Sequence, residues 1–265
     1  MIKNLRTNKI LWYSAAVISM AVAIIGIINT GIYEDVTTDK VMPGVLSQDV
    51  FTVILSALVL VLGYSIKEED TKKQTLMIGV MGYLFYGYGI YSIEQLYNVL
   101  YLFYLAVFGI SAYALVYFIH SLEWDKIEDI TAPKWVRISS LAFLIITPMI
   151  FIPLWTSQLL PLMQTGDKIE FLYSVYILDL SFIMPAFLII AYQLFKKNKS
   201  GYLFTPSIFI VGLMVLAPLS LGEAFRQLIY GQSMDMAMFG LFLVFSLIYL
   251  ALTVVNLIKM DFKLD

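Results

Sequence analysis

Residues 10–29 of this chain are ILWYSAAVISMAVAIIGIIN, a run that contains no charged side chain. An α-helix rises about 1.5 Å per residue, so about 20 apolar residues cross the roughly 30 Å hydrocarbon core of a bilayer. Further apolar stretches follow at about 49–66, 74–93, 97–120, 135–155, 171–195, 203–229 and 235–258. The sequence therefore predicts eight transmembrane helices, numbered helix 1 to helix 8 along the chain.

The composition of the whole chain points to the same class of protein. Apolar residues make up 60% of the chain and charged residues 14%, and the mean hydropathy is +0.85. Soluble domains average about 45–50% apolar residues and about 25% charged residues. A single soluble domain and a disordered chain are excluded, so we expect an all-α polytopic membrane bundle. It forms one integral membrane domain, with helices 1–4 in residues 1–130 and helices 5–8 in residues 131–265.

Several functional classes are disfavoured by residues that the chain lacks. It has no cysteine, which excludes disulfides, thiolate metal sites and cysteine nucleophiles, and its one histidine is His120. It has no P-loop, GxSxG or HExxH motif. A net charge of −2 without a basic block does not suit nucleic acid. We therefore expect no metal, no cofactor and no catalytic residues, and a binding or transport protein rather than an enzyme.

The distribution of lysine and arginine predicts the orientation of the helices. The two termini and alternate connections hold 14 of these residues and the remaining connections hold 3, which accounts for all 17. Because cytoplasmic segments are enriched in Lys and Arg, both termini are expected in the cytoplasm of a multi-pass cell-membrane protein. The first stretch is expected to be a retained helix, since no small-x-small cleavage site follows it. The tryptophans fall at predicted helix ends, where headgroups attract them; they are Trp12, Trp124, Trp135 and Trp155.

The two halves of the chain show weak internal similarity. A shift of 130 residues produces six identities in 34 aligned positions, among them Asp49 with Asp179 and Lys67 with Lys197. The shift pairs helix 2 with helix 6 and helix 3 with helix 7 in the same orientation. Parallel repeats of this kind occur in transporters, with the ligand between the halves. A parallel 4+4 repeat is one interpretation, and coincidence between two apolar four-helix units is the other.

Acidic side chains inside the predicted helices are the strongest functional indicators, because a charge at the centre of a membrane helix costs about 2.5–3.5 kcal/mol. Four acids lie in or at the edge of the helices: Asp49, Glu94, Asp179 and Glu223. In the predicted orientation all four lie in the outer half of the bundle. Asp179 is the deepest, roughly 12 Å from the outer end of helix 6.

Polar neighbours at i+3 and i+4 accompany these acids on their helix faces. We therefore expect an outward-facing acidic pocket lined by helices 2, 3, 4, 6 and 7. Such a pocket suits a small cationic or polar solute or a proton, and its aromatic rings can hold a cation over their faces. The candidate binding residues are Asp179, Asp49, Asn98, Glu223, Tyr176, Tyr91, Glu94, Arg226, Gln48 and Tyr101.

Some of these residues have a structural interpretation as well. Glu223 and Arg226, at i+3 spacing, form a structural pair at the outer end of helix 7 in this alternative. Asp49 then caps the start of helix 2, where the helix dipole favours an anion. Glu94 is simply solvated.

The chain also carries a set of residues that links it to other proteins. They are Gly31 and Tyr33 in GIYED, Gln48 with Asp49, Asn98 with Tyr104, Leu105 and Ala106, and LDLSFIMPAF around Asp179 and Pro185. In these residues the chain resembles a group of uncharacterised bacterial polytopic inner-membrane proteins. The resemblance covers most of the chain, implies the membrane fold and names no activity. Glu223 and Arg226 lie outside the shared pattern.

The leading hypothesis is a transporter or solute-binding membrane protein with a pocket centred on Asp179. One alternative is a sensory or accessory subunit that acts through contacts between helices. Another is a lipid-acting membrane enzyme, which needs its acids to converge within reach of a headgroup. The expected partners are the lipid bilayer and a small solute or proton, and an oligomer is compatible with such a bundle. Acids that converge on one cavity would favour a binding site.

Overall fold

A computed structural model describes residues 2–169 and 172–264 of the chain. Within these residues, eight helices are long and apolar enough to cross a membrane. They are α1 (Leu5–Ile28), α2 (Met42–Ser65), α3 (Thr71–Ile93), α4 (Tyr101–Ser121), α5 (Lys134–Thr165), α6 (Tyr173–Phe195), α7 (Lys199–Leu228) and α8 (Met236–Lys259). Two short strands, β1 (Ile127–Thr131) and β2 (Asp261–Leu264), pair antiparallel. The predicted all-α multi-pass bundle is confirmed.

Helices α3 and α7 form the centre of the bundle. In their most apolar segments, 78% of α3 and 56% of α7 is buried, against 22–39% for the other six described helices. The two central helices pack against each other, and α2 also packs against α7. The two halves of the chain therefore share one core, while their relation by a repeat stays a prediction.

The contact between α3 and α7 depends on a glycine. A Cβ atom on Gly79 would lie 2.6 Å from the Cβ of Ile210. We expect Gly79→Ala to lower the free energy of unfolding by about 1–3 kcal/mol, because an overpacked core shifts its backbone and rotamers. A Cβ on Gly109 of α4 would have no described atom within 4 Å, so Gly109→Ala is the matched control. Equal unfolding temperatures for the two variants would contradict this prediction.

The first described residues, the 121–134 connection and β2 lie together on one side of the bundle, which we name the linker face. Ile2 forms a β-bridge with Leu122, and β1 in the connection pairs with β2 at the C-terminus. The Nζ of Lys199 donates to the carbonyl of Ile127 in the same region. The position of both ends of the described chain on one side agrees with an even number of membrane-crossing helices. The cytoplasmic location of this face stays a prediction.

Helix α2 begins earlier than the sequence pattern indicated. It starts at Met42, with Pro43 in its first turn, rather than at residue 49. Proline suits the start of a helix because the first N–H groups have no partner within the helix. Asp49 therefore lies about two turns inside α2, and the interpretation of Asp49 as a helix cap is wrong.

Helix α5 ends later than the sequence pattern indicated. It continues to Thr165, so most of the predicted outer connection at 156–170 is helical. Trp155 consequently lies within α5 rather than at its end. Trp12 of α1 is fully buried in the core. The ring of Trp12 therefore packs inside the protein, whereas Trp155 is partly exposed. The position of the tryptophans in the headgroup layer stays a prediction.

Candidate functional site

A cavity of about 340 Å³ lies between α2, α3, α5, α6, α7 and α8, in the region away from the linker face. This volume is at the lower end of the range of small-molecule sites, about 300–1,000 Å³. Among the described residues that line the cavity, Asp179 alone carries a charge. Most of the wall is aromatic, formed by Tyr83, Tyr86, Tyr91, Phe151, Trp155, Tyr176, Phe187, Phe242 and Tyr249.

Asp179 occupies an irregular part of α6. Between Asp179 and Ile183 the helix widens into a π-helical turn, and the N–H of Met184 donates to the carbonyl of Asp179. Pro185 favours this widening, because it has no N–H and its ring crowds the carbonyl of Ser181, four residues earlier. Single π-turns are frequent at functional sites. Here the turn carries the one charged side chain of the cavity.

The carboxylate of Asp179 is held by hydrogen-bond donors and not by a cation. The indole Nε1 of Trp155 donates to its Oδ2 at 2.7 Å, and the hydroxyl of Tyr86 interacts with the same carboxylate. Asp179 is 7% exposed. In the part of the chain that the structure describes, none of the ion pairs involves Asp179. A buried carboxylate therefore borders the cavity without a countercharge.

Aromatic rings surround this carboxylate in defined orientations. The rings of Trp155 and Tyr176 meet edge to face with centroids 5.5 Å apart. The ring centroids of Phe151 and Trp155 are 5.8 Å apart. The hydroxyl of Tyr176 donates to the Oε1 of Gln158 at 2.7 Å, which orients the tyrosine ring. Aromatic faces attract cations, and more strongly where water is excluded.

The stripe on α5 is the part of the site that the sequence interpretation missed. Thr147, Phe151, Trp155 and Gln158 all line the cavity. Their spacing of four, four and three residues places them on one helix face, so a recognisable signal was present in the sequence. The pocket was expected from helices 2, 3, 4, 6 and 7. Helix 4 provides none of the lining residues, whereas α5 and α8 do, so the prediction for helix 4 is wrong.

Asp49 lies behind the wall of the cavity rather than in it. It is 0% exposed, and its Oδ2 accepts from the hydroxyl of Tyr33 at 2.7 Å. Its Oδ1 accepts from the hydroxyl of Tyr91 at 3.2 Å. A Cβ on Gly26 of α1 would run into both Asp49 and Tyr33, so the cluster is closely packed. Asp49 therefore positions Tyr91, whose side chain lines the cavity.

Gln48 lines the cavity next to this cluster. The hydroxyl of Tyr83 donates to the backbone carbonyl oxygen of Gln48 at 3.3 Å. A Cβ on Gly87 would run into the Nε2 of Gln48, so this glycine leaves the space that the amide occupies. The structure thus brings four predicted residues to one cavity, and they are Gln48, Tyr91, Tyr176 and Asp179.

Glu94, Asn98 and Tyr101 lie outside the cavity, at the end of α3 and the start of α4. The Oε1 of Glu94 accepts from the N–H and Oγ of Ser174, at 2.8 and 2.5 Å, so Glu94 anchors the start of α6. It is buried, and the interpretation of Glu94 as a solvated residue is wrong. Asn98 donates to the hydroxyl of Tyr104, and Tyr101 donates to the carbonyl of Ser92.

Glu223 and Arg226 form an ion pair at 3.2 Å on α7, also outside the cavity lining. Arg226 donates to the carbonyl of Lys40 at 3.0 Å, and Glu223 accepts from the N–H of Asp235 at 3.0 Å. The two residues are thus the i+3 pair of the structural interpretation, and they also join the α1–α2 and α7–α8 connections. The expected pocket of four acids is thus an aromatic cavity with one carboxylate.

The position of Glu94 predicts a pH dependence of stability. Burial raises the pKa of Glu94, and the hydrogen bonds from Ser174 partly oppose that rise. A pKa that is higher in the folded protein means that the stability contribution is present at low pH. It is lost as the pH rises through the folded-state pKa. As the pH rises from below the unfolded-state pKa of Glu94 to above its folded-state pKa, we expect the unfolding temperature of the wild type to fall relative to that of Glu94→Gln. This variant keeps an acceptor for Ser174.

The control for this prediction is Glu94→Ala. It leaves the N–H and hydroxyl of Ser174 without this acceptor, and we expect a loss of about 1–3 kcal/mol of unfolding free energy at every pH. Thermal unfolding measured across the acidic to neutral range distinguishes the two variants. A difference between wild type and Glu94→Gln that does not change with pH would contradict the prediction.

The described residues include no group of three or more His, Asp or Glu residues placed to share a metal ion. Comparison of the chain with known protein families, with curated proteins and with solved structures finds no match. The chemistry of the cavity therefore has to be inferred from its own geometry.

Proposed function

We propose that this protein is a membrane transporter or solute-binding protein whose ligand is a small monovalent organic cation. The observation that carries the proposal is the carboxylate of Asp179, which borders an aromatic cavity without a countercharge. A buried charge is costly unless it is paired. A cation in the cavity supplies the missing partner.

The chemistry of the lining favours an organic cation over other solutes. Ca²⁺ and Mg²⁺ require several oxygen ligands, whereas this cavity presents one carboxylate and mainly aromatic and aliphatic side chains. A polyhydroxylated solute would need many hydrogen-bonding groups in the wall. An ammonium group with alkyl substituents is weakly hydrated and fits both the carboxylate and the rings of Trp155 and Tyr176.

Irregularities in two helices beside the cavity favour transport over static binding. The π-helical turn of α6 lies at Asp179, and α7 contains Pro218 among the residues that line the cavity. Discontinuous helices at a binding site are typical of transporters, where they allow one part of the bundle to move against another. A lipid-acting enzyme would need a second acid near the first, and the described lining contains Asp179 alone.

The proposal is tested with tetramethylammonium as the probe and the purified protein in lipid nanodiscs. We expect tetramethylammonium to raise the unfolding temperature in a saturable way, whereas neutral tert-butanol and sorbitol at equal concentration do not. A ligand at 100 times its Kd stabilises the folded state by about 2.7 kcal/mol, which a thermal shift detects. Equal effects of all three compounds would overturn the proposal.

Transport is tested separately from binding. Proteoliposomes that contain the protein are expected to take up labelled tetramethylammonium faster than liposomes without it, and unlabelled compound should compete. Saturable binding without uptake would reduce the proposal to a solute-binding protein.

A further inference from the structure

One side of the cavity is surrounded by four helices, α5, α6, α7 and α8. Consecutive helices pack closely, whereas α5 and α8 do not. Helix α5 packs along α6, α6 packs against α7, and α7 packs against α8. Between α8 and α5, the described residues form hydrogen bonds at two levels. The amide of Asn256 donates to Ser140 at 2.9 Å, and the hydroxyls of Thr147 and Tyr249 lie 2.5 Å apart. The level of Asn256 lies on the linker-face side of the cavity, and Thr147 and Tyr249 form the edge of the cavity lining on that side.

Beyond Thr147, away from the linker face, the described parts of α5 and α8 share no hydrogen bond. Both helices nevertheless line the cavity there, with Phe151 and Trp155 on α5 and Phe242 on α8. Helices α5 and α8 also pack far more sparsely against each other than α5 packs against α6 or α7 against α8. The cavity therefore extends into the space between α5 and α8, which we name the α5–α8 gap.

The outer borders of the α5–α8 gap have the character of a lipid-facing surface. Leu154 of α5 and Leu241 of α8, which adjoin the lining residues Trp155 and Phe242 in sequence, are exposed. No Asp, Glu, Lys, Arg or His occurs between Thr147 and Thr165 on α5 or between Met236 and Ile258 on α8. In a bilayer these borders meet acyl chains rather than water.

We infer that the cavity is open sideways to the hydrocarbon core through the α5–α8 gap. Its ligand is then an amphiphilic cation, whose ammonium group pairs with Asp179 while its alkyl chain lies in the gap. This inference rests on the proposed binding of a cation at Asp179 and adds the chemical class of the rest of the ligand. The apolar wall matches an alkyl chain, and the single carboxylate matches a single positive charge.

The test compares three compounds with the protein in lipid nanodiscs: tetramethylammonium, dodecyltrimethylammonium and dodecane-1,12-bis(trimethylammonium). The last two have the same chain, and only the bis compound carries a charge at both ends. Binding is measured by thermal shift, and nanodiscs with the Asp179→Asn variant give the background from partition into lipid.

We expect dodecyltrimethylammonium to bind, because its chain extends through the gap into the bilayer. The bis compound should bind on the order of 100-fold more weakly, because its second ammonium group would lie in hydrocarbon. Equal binding of the two long compounds would overturn the inference and indicate a cavity that opens to water. Binding of tetramethylammonium alone would overturn it as well and indicate a closed gap. If no compound binds, the proposed function itself fails.

Discussion

Asp179→Asn is expected to weaken the binding of tetramethylammonium by on the order of 100-fold while the protein stays folded. Removing one partner of a buried charge pair costs about 2–5 kcal/mol of binding free energy, and each 1.4 kcal/mol corresponds to a factor of ten in Kd. Asparagine has nearly the same shape and keeps an oxygen that accepts from the Nε1 of Trp155. The structure of the cavity is therefore preserved while its charge is removed.

The measurement is the thermal shift of Asp179→Asn and wild type over the same range of tetramethylammonium concentrations. The unliganded variant should unfold at or above the wild-type temperature, because the variant lacks an uncompensated buried charge. Glu94→Gln is the matched control, since it neutralises another buried acid that does not line the cavity, and it should keep the wild-type affinity. Wild-type affinity in Asp179→Asn would contradict the prediction.

Asp49→Ala is expected to give the second large effect, a loss of about 3 kcal/mol of unfolding free energy. The substitution removes the carboxylate to which the hydroxyl of Tyr33 donates, and the hydroxyl of Tyr91 loses one of its two acceptors. A buried donor without an acceptor costs about 1–3 kcal/mol, and the deleted side chain also leaves a space in the core. Equilibrium unfolding in mixed micelles measures the change.

A double-mutant cycle with Tyr33→Phe isolates the hydrogen bond. Because the acceptor is a carboxyl group, we expect the effects of Asp49→Ala and Tyr33→Phe to be non-additive by about 1.5–3 kcal/mol. Tyr64→Phe is the control, since Tyr64 is 89% exposed. Its effect on the free energy of unfolding should be additive with that of Asp49→Ala. Additive effects of Asp49→Ala and Tyr33→Phe would contradict the role assigned to this contact.

The sequence predicts those site residues that share one face of a single helix. Asp179 was recognisable by its depth, and Tyr176 precedes it by three residues on the same face of α6. The same spacing rule applied to α5 would have found Phe151 and Trp155. Asp49 and Glu94 were recognisable as unusual acids, but their roles depend on Tyr33 and Ser174, which belong to other segments of the chain. A single helix face does not reveal which neighbour it meets.

The 20-residue apolar segments, beginning with residues 10–29, determined the class of the protein by themselves. The reason is local: a helix satisfies its own backbone hydrogen bonds and needs only length and apolar side chains to cross a bilayer. Tertiary structure decided which of the four acids borders a cavity. Most of the helices are apolar all round, so their sequences do not specify which face packs inward. Only the arrangement of the outer helices around the central helices α3 and α7 places Asp179 at the edge of a cavity and encloses Asp49 among tyrosines.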